Sequence, residues 1–402
     1  MARSSYGRLL AILAAPGGDL ELAEDCLAEA FALALRTWPE SGIPGNPEAW
    51  LLTVARNRRR DVFRSAARRT ETALRGDEAG AVDSMLQDLD PEAIPDRRLA
   101  LLFVCAHPAI DPAVRAPLML QTVLGFEAQQ IAEAFAVSAS AMAQRLVRAK
   151  RRIRETRIPF VVPDRTRMAP RLNAVLEAIY GAYAIDWRLV SGTTTRDSLA
   201  GEAHFLAGTL AELLPGEPEA LGLAALLSLS LARAEARGSA EEFVPLEEQD
   251  TARWDRGLIA RGEQYLRRAR ALGRIGRFQL EAAIQSVHCA RAVSGATDWA
   301  ALRRLYAALV STAPTLGARV ALAATVGRTG GPAAGLAALD GIPDAGVQRS
   351  QPAWATRAHL LAAAGRMEEA GQAFEKAISL TTEPGVRRYL ERWRSACAGD
   401  PS

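Results

Sequence analysis

The chain has 402 residues, more than one hydrophobic core usually serves, so two or three domains are expected. Apolar residues make up 49% of it and aromatic residues only 6%, and long stretches rich in Ala, Leu, Glu and Arg favour helices. Four cysteines without a regular framework, no signal-peptide pattern and no membrane-length apolar stretch argue against a disulfide-stapled secreted protein or a membrane protein. We expect a cytoplasmic protein without a membrane partner.

The formal net charge of +3 hides a strong charge pattern. Residues 56–69 carry seven arginines against Asp61 alone, and residues 145–157 carry seven basic residues against Glu155 alone. Between them, residues 71–96 carry eight acidic residues against Arg75. This pattern favours two polyanion-binding helices on either side of an acidic linker.

Residues 1–70 are predicted to form a compact helical unit. Asp19 can cap a helix whose apolar residues recur at helical spacing, and residues 39–44 are expected to end it. Asn46 and Pro47 form the start of another helix, with arginines on one face. Its predicted apolar stripe consists of Trp50, Leu51, Val54, Ala55 and Val62.

Trp50 and the polar residues after it suggest contact with unpaired nucleic-acid bases. Aromatic and polar side chains beside arginines can stack on bases and hydrogen-bond to them. A basic surface helix is the alternative reading of the same residues. The candidate binding residues on this helix are Trp50, Arg56, Asn57, Arg58, Arg60 and Arg64.

Residues 71–95 contain Pro91 and two glycines with little periodic pattern, which predicts a flexible acidic linker. A second helical unit is predicted over residues 96–158. Within it, residues 126–154 have the pattern of two short helices joined by a tight turn. Ser138 or Ser140 can cap the second helix, whose buried seam is predicted to be Met142, Leu146, Ala149 and Ile153.

The second helix of this pair has a dense arginine face, as expected of a helix presented to the DNA major groove. Its leading residues would reach base edges and its trailing arginines would hold phosphates. A solvated amphipathic helix is the alternative, but the near-uniform sign of its charges argues against ordinary salt-bridge lacing. The candidate DNA-binding residues are Ser138, Ser140, Ala141, Gln144, Arg145, Arg148, Arg151 and Arg152.

Residues 159–402 are predicted to be a large C-terminal region of alanine- and leucine-rich helices. Near its end, four residues fall at the spacings of a tetratricopeptide helical hairpin, with Gly365 at the turn. These residues are Trp354, Ala370, Phe374 and Ala377. A single convincing unit is not an array, so the region is described as tetratricopeptide-like.

Catalytic and metal-binding motifs are weakly represented. We find no phosphate-binding Gly-Lys loop, no nucleophile elbow and no paired histidines on a helix. Cys105 with His107, and His288 with Cys289, lack zinc-site spacing. We therefore expect a protein that is not an enzyme and that uses no metal or cofactor.

Several segments carry a family resemblance. Asp19-Leu-Glu-Leu-Ala-Glu-Asp-Cys-Leu-Ala-Glu-Ala-Phe31 and Pro47-Glu-Ala-Trp-Leu-Leu-Thr-Val-Ala-Arg-Asn57 resemble region 2 of bacterial sigma-70 family factors, the specificity subunits of RNA polymerase. Residues 130–150 resemble region 4 of the same family. Residues 97–110, 157–160, 278–288 and 298–299 resemble the extracytoplasmic-function group whose members have a large C-terminal helical extension.

The resemblance implies an all-α fold: two small sigma domains, the second a helix-turn-helix, joined by the acidic linker and followed by a larger helical domain. It implies promoter-specific transcription initiation with two partners, promoter DNA and core RNA polymerase, the latter bound through its clamp helices and flap. The candidate residues of the first basic helix, between Trp50 and Arg64, would bind the −10 element. Those of the second basic helix, between Ser138 and Arg152, would bind the −35 element. The clamp helices would contact the acidic residues Asp19, Glu24, Asp25 and Glu29.

Two other kinds of protein could carry the same residues. One is a one-component helix-turn-helix transcriptional regulator with a helical sensing domain, which would bind duplex operators as a dimer. The other is an interaction scaffold whose basic helices are incidental, without salt-sensitive DNA binding. The C-terminal region is expected to regulate or stabilise the sigma regions.

Overall fold

A computed structural model describes residues 2–15, 18–69, 95–135, 137–158, 160, 163, 165–189, 199–238, 242–343, 345–397 and 399. Every regular element in these ranges is a helix, which confirms the all-α prediction. The predicted linker falls almost wholly outside the described residues. No helix of the described ranges is long and apolar enough to cross a membrane. The chain forms two compact units, one of Met1–Trp187 and Arg196–Thr209, the other of Arg188–Thr195 and Leu210–Ser402.

The first unit begins with α1 (Ala2–Ala14), α2 (Leu20–Ser41) and α3 (Pro47–Arg69). Asp19 caps α2 as predicted, because its Oδ1 accepts a 3.1 Å hydrogen bond from the Leu22 amide. Asn46 caps α3 in the same way, through a 3.0 Å bond from the Ala49 amide. Residues 9–14 of α1 are at most 3% exposed. A helix buried on all sides is a core element, and α1 contacts α2, α3 and the first helix after the linker.

The helix α2 ends at Ser41, within the predicted range of residues 39–44, and Gly42 after it adopts a φ of +83°. One detail of this region differs from the prediction. Val62 does not lie in the buried stripe of α3: it is 36% exposed, and residues 60–65 of the same helix are all exposed. Residues 60–65 of α3 therefore lie outside the buried stripe, and Leu52, 7% exposed, belongs to it instead.

The next helices are α4 (Pro95–Cys105), α5 (Pro112–Thr122), α6 (Ala128–Ala134) and α7 (Ala139–Glu155). In α4, Leu99 and residues 101–105 are fully buried, and so is Ala106 just after the helix. Burial raises the pKa of the Cys105 thiol to about 12. Thr122 Oγ1 donates to the Leu118 carbonyl at 2.8 Å and lies 3.4 Å from Cys105 Sγ, so the thiol is an inert, hydrogen-bonded core group.

Two further helices, α8 (Arg165–Leu189) and α9 (Leu199–Leu213), follow α7. Arg171 of α8 donates a 3.2 Å hydrogen bond to the carbonyl of Phe103 in α4. Arg98 of α4 forms an ion pair with Glu202 of α9. These two side-chain contacts join α8 and α9 to α4, and part of the C-terminal region therefore belongs to the same compact unit as α6 and α7.

The second unit contains the remaining helices: α10 (Pro218–Leu231), α11 (Arg256–Ala271), α12 (Arg277–Cys289), α13 (Arg291–Ser294), α14 (Trp299–Thr312), α15 (Leu316–Gly330), α16 (Pro332–Asp340), α17 (Gln351–Ala363), α18 (Met367–Leu380) and α19 (Pro384–Cys397). Residues 218 and 220–231 of α10 are all buried, and α11 and α12 pack against it. From α14 onward each helix packs on the next, as in a helical repeat array.

The predicted helical hairpin near the C-terminus is confirmed. It consists of α17 and α18, and Gly365 between them has a φ of +76°, which favours glycine. Ala370, Phe374 and Ala377 are fully buried against α17. Residues 316–340 form a second hairpin from α15 and α16. The assignment of these hairpins to the tetratricopeptide class stays a prediction.

Candidate DNA-binding and polymerase-binding surfaces

The predicted pair of short helices is present as α6 and α7. The Glu127 amide donates a 3.1 Å hydrogen bond to Gln130 Oε1 at the start of α6. The Val137 amide donates to the Ala132 carbonyl at 3.0 Å and closes the turn. Ser138, rather than Ser140, caps α7, because its Oγ accepts from the Ala141 amide at 3.3 Å. These local bonds set the angle at which α7 leaves α6.

The two faces of α7 separate as predicted. Its seam residues are between 0% and 8% exposed and pack into the core. These are Met142, Leu146, Ala149 and Ile153. The candidate DNA-binding residues are exposed apart from Ala141, which is half-buried. They are Ser138, Ser140, Gln144, Arg145, Arg148, Arg151 and Arg152. Polar and basic side chains, with Val147 among them, therefore form the solvent-facing side of a helix that is anchored by its opposite side.

Arg151 differs from its neighbours because it has a partner on the same helix. Its Nε donates a 2.7 Å hydrogen bond to Glu155 Oε1, one turn further along. This hydrogen bond lowers the pKa of the Glu155 carboxyl. The pair is largely exposed, so a phosphate can compete with Glu155 for the guanidinium at little cost.

The last turns of α7 face α2 as well as solvent. Lys150 is buried, and its Nζ donates a 2.6 Å hydrogen bond to Glu24 Oε2 of α2. Arg154 Nη1 lies 3.4 Å from Glu21 Oε2 and 3.6 Å from Asp19 Oδ2. The trailing part of the basic helix is therefore in contact with acidic residues of the N-terminal helices.

The candidate residues of α3 lie on its middle turns. Trp50 is half-buried and packs edge-to-face on Trp38 of α2, with 5.4 Å between the ring centroids. Asn57, Arg58, Arg60 and Arg64 are exposed, and Arg56 is half-buried. Arg58 forms an exposed ion pair with Glu29 of α2. One edge of the N-terminal helices thus presents aromatic and basic groups together.

Arg59 was not singled out by the sequence pattern. It is 8% exposed, and its Nη1 donates a 2.7 Å hydrogen bond to the Leu13 carbonyl in α1. The burial of Arg59 could have been predicted in part, because Arg59 follows the buried residues Leu52 and Ala55 at helical spacing. Arg59 is a structural residue that ties α3 to the end of α1.

The four candidate polymerase-binding acids differ in exposure. Asp25 and Glu29 are exposed, whereas Asp19 and Glu24 are half-buried. Burial raises the pKa of the Glu24 carboxyl, while the neighbouring Lys150 ammonium opposes that shift. Asp19 is occupied in part as the cap of α2. Three of the four acids contact other parts of the chain: Glu29 pairs with Arg58, Glu24 pairs with Lys150, and Asp19 caps α2. Asp25 and Glu29 remain exposed to solvent.

The Cys/His neighbours have structural contacts. His107 Nδ1 accepts a 3.1 Å hydrogen bond from the Ala109 amide. His288 packs edge-to-face on Trp299, and Cys289 Sγ lies 3.6 Å from the Leu229 carbonyl oxygen. In the parts of the chain that the structure describes, no group of three or more His, Cys, Asp or Glu side chains could hold a metal ion.

Comparisons with known proteins match two parts of the chain to families. The family "Sigma-70 region 2" matches residues 1–69, and a family of unknown function, DUF6596, matches residues 171–270. The uncharacterized protein R00370 of Rhizobium meliloti (strain 1021) is 36% identical over 393 residues, 96% of this chain and 92% of that protein. No solved structure matches the chain significantly.

A second relative has an informative name. The probable ECF RNA polymerase sigma factor SigI of Mycobacterium tuberculosis, in strains CDC 1551 / Oshkosh and ATCC 25618 / H37Rv, is 34% identical over 166 residues. That match covers 40% of this chain and 55% of SigI. Taken with the match of residues 1–69, it shows that the chain has a sigma-70 region 2 at its N-terminus and is similar to an extracytoplasmic-function sigma factor, with a helical extension behind this part.

Proposed function

We propose that the protein is a dissociable promoter-specificity subunit of RNA polymerase. Binding energy is its whole mechanism: acidic and apolar surfaces dock on the core enzyme, and two basic helices position promoter DNA. The observation that carries the proposal is the pairing of two exposed basic faces, on α3 and on α7, within one compact unit. A regulator that reads DNA with one helix would not need the basic face of α3.

In this proposal α7 reads the −35 element. Ser140, Ala141 and Gln144 lie near its N-terminal end, where a groove-inserted helix reaches base edges. Arg145, Arg148, Arg151 and Arg152 follow on the exposed side and would neutralise phosphates. Each neutralised phosphate releases counterions, so binding should weaken steeply as salt rises.

The −10 element would be bound by α3. Trp50 offers a half-buried ring that is held by Trp38, so stacking a base on it costs little conformational entropy. Asn57, Arg60 and Arg64 are exposed further along the same helix and can hold the displaced strand. Stabilising unpaired bases lowers the free energy of promoter melting.

Core polymerase would be bound through the acidic side of α2. Asp25 and Glu29 are exposed there and can pair with basic residues of a partner. The extension would stabilise the −35-binding region, because Arg171 and Glu202 hold α8 and α9 against α4.

The test is transcription in vitro with sigma-free core polymerase and genomic DNA, followed by sequencing of transcript 5′ ends. Discrete start sites that share upstream motifs and require the protein are the expected result. No protein-dependent starts, with an active core and a folded protein, would reject the proposal. A symmetric footprint on duplex DNA without polymerase would instead support a one-component regulator.

A further inference from the structure

The helix α11 in the second unit has a strongly basic exposed side. Residues 253–277 contain this helix and its flanks, and they carry eight arginines against Asp255 and Glu263 alone. Five of these arginines are exposed and form no ion pair with any residue that the structure describes. They are Arg253, Arg256, Arg261, Arg267 and Arg270. The two DNA-binding surfaces proposed above do not include them.

The opposite side of α11 packs against α10. Gly262, Tyr265 and Ala269 are its buried residues. A β-carbon at Gly262 would lie 2.6 Å from a side-chain carbon of Leu229 in α10, so the close approach of the two helices requires glycine at this position. The helix is therefore anchored by one side, and its exposed arginines lie on the remaining surface.

Both acids of this segment are engaged within the second unit. Asp255 caps α11, because its Oδ1 accepts a 2.9 Å hydrogen bond from the Leu258 amide. Glu263 is half-buried and accepts a hydrogen bond from Ser286 Oγ of α12. The charged residues on the exposed side of α11 are therefore all arginines.

The exposed arginines do not stabilise α11. Charged residues on a solvated helix commonly pair with opposite charges one turn away, as Arg277 does with Glu281 on α12. On α11, by contrast, Arg256 occupies the first turn, where a cation opposes the helix dipole, and Arg267 and Arg270 are like charges three residues apart. An anionic partner would relieve the repulsion among these cations, so the pattern favours a binding surface over an ordinary solvated side.

The spacing and chemistry of these cations fit the phosphates of a nucleic-acid duplex. A guanidinium can donate two parallel hydrogen bonds to one phosphate. Arg256 and Arg270 are about 21 Å apart along the helix axis, a length that about six phosphates of one strand cover. The other exposed residues of α11 are uncharged, and most of them are small, so the helix can approach a duplex backbone closely. They are Gly257, Ala260, Gln264 and Ala271.

We propose that the exposed arginines of α11 bind the phosphates of duplex DNA outside the −10 and −35 elements. This inference rests on the proposed function, which brings the protein to promoter DNA. Phosphate contacts carry no sequence information, so this contact would add affinity to different promoters alike. The extension is then a third DNA-binding surface, independent of sequence, in addition to α3 and α7.

The first test uses the free full-length protein and a DNA duplex of arbitrary sequence. Arg256→Gln combined with Arg267→Gln removes two charges but keeps good helix formers. Each lost phosphate contact lowers the slope of log K against log salt by about 0.9, so the slope should fall by about 2 and the affinity at physiological salt by roughly tenfold. Arg392→Gln combined with Arg394→Gln, at exposed positions of α19, is the matched control and should change neither. Equal effects of the two double variants, with circular dichroism showing that both are folded, would overturn the inference.

Cleavage by a tethered iron chelate tests the contact in the complex with core polymerase and promoter DNA. Gln264 lies on the exposed side of α11, so a chelate on Gln264→Cys should cut duplex DNA outside the −10 and −35 elements. Cys397→Ser removes the least buried native thiol. Gln372→Cys, at an exposed position of α18, is the control and should give no cuts. Uncut DNA in a verified complex, or equal cutting from both positions, would count against the contact.

The outcomes distinguish this inference from the proposed function. If no core-dependent promoter complex forms but the α11 double variant has the lower salt slope, the sigma proposal fails and the DNA-binding surface on α11 stands. If the promoter complex forms and the slope is unchanged, the sigma proposal stands and this inference fails. Weaker binding of core polymerase by the double variant, with unchanged DNA binding, would assign the arginines to an acidic protein partner and reject the inference as well.

Discussion

Arg98 of α4 and Glu202 of α9 form an ion pair in which the side chains are only 10% and 22% exposed. Phe205, three residues further along α9, lies over the same guanidinium, 5.2 Å from its carbon to the ring centroid. Arg98 belongs to the segment that resembles the extended group of sigma factors, and Glu202 belongs to the extension itself. The pair therefore connects α4 to the helices that follow α7.

We predict that Glu202→Gln destabilises this unit, because it leaves the Arg98 charge buried without its partner. Breaking a buried pair on one side costs about 3–5 kcal/mol in the free energy of unfolding, and the partial exposure of Glu202 favours the lower end. Urea denaturation followed by circular dichroism measures this change. Glu212→Gln, at an exposed position of the same helix, should change it by less than about 0.5 kcal/mol. Equal effects of the two variants would show that the pair does not matter for stability.

We predict that Arg148→Ala weakens promoter binding and makes it less dependent on salt. In the proposed −35 complex the exposed guanidinium would neutralise one phosphate, so its loss should reduce the slope of log K against log salt by about 1. Fluorescence anisotropy of labelled promoter DNA with the core complex, from low to high salt, gives the slope. Arg392→Ala, on the exposed side of α19, is the matched control. An unchanged slope for Arg148→Ala would remove that residue from the contact surface.

A substitution at Gln144 should act differently on the same helix. Its amide is placed to hydrogen-bond a base edge, so Gln144→Ala should lose about 1–3 kcal/mol of discrimination at one base pair of the −35 element. The salt slope should stay as in the wild type, because no charge is removed. Binding to a set of single-base promoter variants measures the discrimination. A uniform loss across all variants would mean that Gln144 positions the helix without reading sequence.

The sequence predicted features that depend on near neighbours. Asp19, Asn46 and Ser138 are helix caps within three residues of the amides they bind, and the seam of α7 follows from helical spacing. The pairing of Lys150 with Glu24 could not be read in this way, since it depends on how two separate helical units pack. Val62 was misplaced for the same reason: periodicity identifies an apolar side of α3 but not how far along the helix a partner covers it.

Buried histidine gives a prediction for the second unit. Burial, with Arg233 and Arg291 nearby, lowers the pKa of His288 from 6.5 to about 4. Between these two pH values the unfolded chain binds a proton that the folded chain does not, so stability falls as pH drops from 6.5 toward 4. The contribution of this group is at most about 3 kcal/mol, fully present above pH 6.5.

His288→Gln should remove this part of the pH dependence. Urea denaturation at pH 7 and at pH 4.5 would show a smaller difference between the two conditions for the variant than for the wild type. His107→Gln is the comparison in the first unit, because the pKa of His107 is also lowered, by burial first and then by Arg171 and Arg115. The same pH dependence in His288→Gln and in the wild type would assign acid sensitivity to other groups.

Promoter opening tests Trp50. Removing the ring in Trp50→Ala should reduce open-complex formation about tenfold, since stacking of one base on an aromatic ring contributes roughly 1–3 kcal/mol. Trp50→Phe keeps a smaller ring, so its level of open complex should lie between that of the wild type and that of Trp50→Ala. Permanganate reactivity of unpaired thymines in the −10 element measures the open complex. Because Trp50 also packs on Trp38, core binding by each variant must be measured alongside. If Trp50→Ala binds core normally and opens the promoter as the wild type does, Trp50 packs α3 against α2 and does not hold a base.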